Sequence, residues 1–66
     1  MKRFVHMTGP HPAGKRRVWK VALVSTHDRV PTGTVYEVHS YGRAVALSCN
    51  MARDRRLYLH IEALSR

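Results

Sequence analysis

The sequence predicts a small α+β domain. It should carry an antiparallel-dominated sheet of three to four strands in the order (β)ββαβ, with one helix packed on one face. Three observations carry this. Residues 17–25 (RVWKVALVS) are rich in β-branched and aromatic side chains at strand length. Over 41–53 the apolar period changes from two to that of a helix, and over 57–64 (LYLHIEAL) it returns to alternation.

Taken in order, the first segment is the least regular. Residues 2–7 suit a short strand with Phe4 and His6 on one face and Val5 and Met7 on the other. Residues 8–14 (TGPHPAG) read as a turn or loop, because two prolines and two glycines exclude regular structure. Residues 1–16 are therefore expected to be a partly flexible N-terminal segment or an edge strand, and 17–64 the ββαβ core of one domain. In 17–25, Trp19, Val21 and Leu23 share a face, and Val18, Lys20, Ala22 and Val24 share the other. Both faces are fairly apolar, so this should be the central strand.

Residues 26–33 (THDRVPTG) form a long hairpin loop punctuated by Pro31 and Gly33. In the next strand, 34–39, Tyr36 and Val38 lie on one face and Val35, Glu37 and His39 on the other. Ser40 suits an N-cap. The helix over 41–53 carries one stripe of Ala44, Leu47 and Met51, with Arg43, Asn50 and Arg53 mostly off it. Arg53, Arg55 and Arg56 fall at or just past its end, where cations suit the dipole. In 57–64, Leu57, Leu59, Ile61 and Ala63 face the core, and Tyr58, His60 and Glu62 face away. The helix is placed over Trp19, Val21, Leu23, Tyr36, Val38, Leu59 and Ile61. The simplest sheet has 17–25 between the third and last strands, which run parallel to each other.

Charge narrows the partner. Twelve Lys and Arg against four Asp and Glu give a net charge of +8 in 66 residues. A positive field of this size attracts polyanions before any specific contact forms. So short a chain buries only about 60% of its unfolded surface. Cys49, the one cysteine, allows no internal disulfide and suits a reducing, cytoplasmic setting. The longest apolar run is 21–24, far short of a signal segment or a membrane span. With few means to stabilise a monomer, a homodimer is expected.

On the expected sheet the charges divide. Lys15, Arg16 and Arg17 begin the central strand and Arg43 begins the helix, at one end. Arg29, Arg53, Arg55 and Arg56 gather at the other, with Lys20 between them on the uncovered face. Lys15, Arg16, Arg17, Lys20, Arg43, Arg53, Arg55 and Arg56 are therefore candidate phosphate contacts. The uncovered face offers Val18, Val24, Tyr58 and His60, either to stack bases or to meet a second copy. A dimer contact is the favoured use, because Val18, Ala22, Val24 and Val35 make that face apolar.

Five histidines, His6, His11, His27, His39 and His60, read as solvent-facing strand and loop residues. None lies on the helix, and Cys49 has no ligand at metal-site spacing, so no metal and no cofactor is expected. His39 and His60 could meet only on neighbouring strands. His27, Asp28 and Arg29 supply the residue types of a small metal-free ribonuclease, as in basic bacterial toxins. The same three residues also suit any turn.

Residues 19–64 resemble small prokaryotic ββαβ proteins of the kind found on phages and plasmids. That likeness is one of pattern and brings no functional residues. The expected function is a non-enzymatic nucleic-acid-binding protein, for DNA or RNA, held mainly by phosphate contacts. The alternatives are an interaction module docking on an acidic protein surface and, third, the ribonuclease.

Overall fold

The computed structural model describes residues 2–63. The chain forms β1 (Arg3–Ala13), β2 (Arg16–Ser25), β3 (Tyr36–Val38), α1 (Tyr41–Arg55) and β4 (Leu59–Ala63). The strands make one mixed, mostly antiparallel sheet in the order β3-β2-β1-β4. One helix packs on it, the α+β architecture that the patterning predicts.

β1 corrects the sequence reading twice. It is not an edge strand, since it lies between β2 and β4. It also continues through the stretch read as a loop, as far as Ala13. A bulge makes this possible. Thr8 pairs with Lys20 and His11 with Val18, so Gly9 and Pro10 together face Trp19. The prolines are tolerated because the described part of β4 pairs with β1 only as far as Gly9. Beyond that point, among the described residues, β1 pairs with β2 alone, and a missing N–H on its other side costs little.

The place expected for β2, between the third and last strands, is likewise corrected. β4 pairs with β1, in parallel, through Val5↔Leu59, His6↔His60 and Met7↔Ile61. β3 and β4 do run in the same direction, but two strands separate them. The reason lies in Val5 and Met7. Alternation in β1 turns both toward the helix, and both are fully buried. Each contributes roughly 1.5–3 kcal/mol of burial, which an edge position would forfeit in part.

The core joins Val5, Met7 and Val21 to Ala44 and Ala52, with Trp19, Leu23, Val38 and Leu59 packed around them. The helix thus covers the face expected of it, except at Tyr36 and Ile61, which stay exposed. Its buried line is Ala44, Ser48 and Ala52, with Val45, Leu47 and Met51 flanking. Small residues at this spacing bring the helix backbone close to the sheet. Ser48 is 0% exposed, and its Oγ donates to the Val45 carbonyl at 3.0 Å. That bond satisfies the hydroxyl inside an apolar layer.

The helix ends are closed by the chain itself. Ser40 Oγ accepts from the Arg43 amide. At the other end Arg56 turns left-handed (φ 53°), its N–H donating to Arg53, while Leu57 N–H donates to Ala52. This is a Schellman closure with arginine where glycine is usual. Among the described residues no helix is long and apolar enough to cross a membrane.

Candidate nucleic-acid interface

Tyr58 stands at the turn from α1 into β4. Its carbonyl accepts the Val5 amide at 2.8 Å, which ties its backbone to β1. The residue is 88% exposed, and its side chain serves no core. Two adjoining hollows share Phe4, Thr26 and Tyr58 in their walls. Lys2, Arg3 and Arg56 line the first; Arg29, His6 and His60 line the second. An exposed aromatic ring is thereby surrounded by four permanent cations from three parts of the chain.

Local structure brings those cations together. Arg3 pairs with Ser25 at the end of the β1–β2 ladder. The Thr26 amide donates to the Lys2 carbonyl, and the Arg29 amide to the Ser25 carbonyl. Arg56 arrives through the closure of the helix. Arg53 and Arg55 lie exposed in the last helical turn beside it, and Arg53 donates to Asn50 Oδ1 at 2.8 Å.

The remaining candidates are distributed elsewhere. Lys15, Arg16 and Arg17 lie exposed at the β1–β2 turn and the start of β2. Ten residues of β2 separate them from the Tyr58 end, about 30 Å. Arg17 lines a hollow with Trp19, Tyr41 and Pro10, whereas Arg43 lines a different one with Glu37, His39 and Ser40. Lys20 sits half-buried in the sheet, its backbone paired with Thr8 and Glu37. Val18 and Val24 are buried within the single chain, as is Ala22. They offer little area for stacking or for a second copy, so the uncovered face is less apolar than its sequence suggests. His60 is exposed beside Tyr58.

Sequence reasoning missed Lys2, Arg3 and Phe4 as members of this surface. Lys2 and Arg3 are adjacent in the sequence, but only the pairing of β1 with β4 places them beside Tyr58. In the 26–33 loop, Asp28 Oδ1 accepts the Val30 amide at 3.2 Å, and Arg29 is left-handed (φ 58°). Asp28 thus builds the turn in which His27 and Arg29 lie.

The histidines are placed unexpectedly. β3 and β4 form opposite edges, so His39 and His60 lie on separate edges of the sheet. His60 instead pairs with His6 on β1, ring centroids 5.4 Å apart. Glu62, two residues along β4 and on the same face, reaches both imidazoles. These three side chains could hold a metal ion. No protein-family model, no curated protein and no solved structure matches the chain.

Proposed function

We propose that this chain is a small non-enzymatic nucleic-acid-binding protein that holds a single-stranded segment at the Tyr58 end. The observation that carries the reading is Tyr58, 88% exposed between hollows lined by Lys2, Arg3, Arg29 and Arg56. A base can stack on a ring presented in this way while cations meet the flanking phosphates. Stacking tolerates any base, so specificity should be weak.

Phe4 and His60 extend the platform, and Arg53 and Arg55 broaden the positive field. The Lys15, Arg16 and Arg17 group, about 30 Å away, would meet backbone further along a longer strand. A single chain suffices for this reading. The exposed free Cys49 suits a reducing, cytoplasmic compartment.

The test is fluorescence anisotropy with a labelled single-stranded DNA or RNA oligonucleotide. Binding should weaken steeply as salt rises. Tyr58→Ala should cost about 1–3 kcal/mol of binding, the range for one stacked base. Absence of binding at low salt would overturn the proposal. A pull-down from nuclease-treated lysate that retained one stoichiometric acidic protein would favour an interaction module instead.

A further inference from the structure

We propose that His6, His60 and Glu62 form a binding site for one divalent transition-metal ion of the zinc class. The site is built by strand register. His6 and His60 are direct partners on the parallel strands β1 and β4, and Glu62 follows His60 on the same face. Glu62 Oε1 lies 3.4 Å from His6 Nε2 and 3.7 Å from His60 Nε2. One ligand atom from each residue lies within 4.8 Å of the others.

Two features separate this arrangement from a surface ion pair. His6 Nε2 is buried and has no hydrogen-bond partner among the described residues, although the Glu62 oxygen is close. A buried imidazole nitrogen left in that state costs free energy unless something binds it. Glu62 is also surrounded by a strongly basic chain, yet its ion-pair partners among the described residues are the two imidazoles. The spacing suits a shared ion. Bonds of about 2.1 Å in a tetrahedron place neighbouring ligand atoms about 3.4 Å apart.

The ligand chemistry selects the metal class. Two imidazoles and one carboxylate suit zinc and its neighbours, whereas calcium and magnesium prefer oxygen alone. Phe4 stands against both rings, at 5.6 Å from His6 and 6.4 Å from His60, as an apolar wall. The His6, His60 and Glu62 side chains are 23%, 59% and 47% exposed, so the remaining coordination position faces water. Three protein ligands and one open position leave room for an exogenous oxygen ligand. The site shares Phe4 and His60 with the surface proposed for nucleic acid, but its geometry does not rest on that reading.

The experiment uses the full chain stripped by chelator, titrated with Zn²⁺ in a calorimeter and with Co²⁺ by visible absorption. We expect one ion per chain with micromolar affinity or better, and Co²⁺ bands of a four-coordinate site. His60→Ala and Glu62→Gln, both at exposed positions, should keep the far-UV circular dichroism and weaken binding by at least the roughly tenfold that losing a mere outer-sphere partner costs. His27→Ala and His39→Ala should bind as the parent does. In NMR spectra Zn²⁺ should move the imidazole signals of His6 and His60 and leave those of His27 and His39 in place. Unchanged affinity in the His60 and Glu62 variants would overturn the proposal. So would Zn²⁺ moving only the other histidines, or a failure to bind at micromolar Zn²⁺.

Discussion

Trp19 packs directly on the bare Cα of Gly9. A Cβ built on Gly9 would lie 2.5 Å from Trp19 Cδ1 and 3.1 Å from the Trp19 Cα. Gly9 also holds φ at +151°, which L side chains rarely adopt. Both the bulge and the seating of Trp19 therefore require glycine here. Gly9→Ala should destabilise the chain by about 2–4 kcal/mol, from overpacking and backbone strain together. Urea denaturation followed by Trp19 fluorescence measures this. A cost below about 0.5 kcal/mol would show that the bulge is not held as described.

Arg56 offers the opposite case. Its left-handed backbone costs free energy for any residue with a Cβ, and the Schellman bonds use only its main chain. Arg56→Gly should stabilise the fold by about 0.5–1 kcal/mol. The same substitution removes a cation from the wall beside Tyr58, so nucleic-acid binding should weaken. Thermal melts and anisotropy on one variant then move in opposite directions.

Ser48 tests the close approach of helix and sheet. It is fully buried between Ala44 and Ala52, with Met7 Sδ 3.7 Å from its hydroxyl. Ser48→Ala should change stability by less than about 1 kcal/mol, since the Val45 carbonyl keeps its helical bond. Ser48→Leu should cost at least about 2 kcal/mol, because no volume is free there. Equal tolerance of both variants, compared by chemical denaturation, would contradict this packing.

Much of the fold could be read from single residues. Alternation through Trp19, Val21 and Leu23 identified β2 and its covered face, and Ser40 marked the start of the helix. Bounds were less legible. The helix runs on to Arg55, and β3 keeps only Tyr36–Val38 of the expected strand. Residue 64, expected in the last strand, lies outside the described residues. Ser48 was missed because a polar residue breaks an apolar stripe on paper, while a local carbonyl satisfies it in the helix.

The larger omissions come from strand pairing, which is a non-local choice. His6 and His60 are 54 positions apart in sequence, and no spacing rule joins them. Lys2, Arg3 and Tyr58 meet for the same reason. The clue available in the sequence was His60 and Glu62 on one face of an alternating strand, with Phe4 and His6 on one face of another. Placing those faces side by side required knowing that β1 enters the sheet interior.

Because Tyr58 serves no core, Tyr58→Ala should leave stability within about 0.5 kcal/mol of the parent. That makes it a clean probe of binding, and the most direct test combines it with salt. On a short single-stranded oligonucleotide, contacts from Lys2, Arg3, Arg29 and Arg56 should give a slope of log K against log salt of about −3, at roughly −0.7 per phosphate. Arg56→Gly should make the slope shallower by about 0.7. Tyr58→Ala should lower affinity about 5- to 150-fold with the slope unchanged. Affinity that ignores salt, or that survives the loss of the Tyr58 ring intact, would contradict the account.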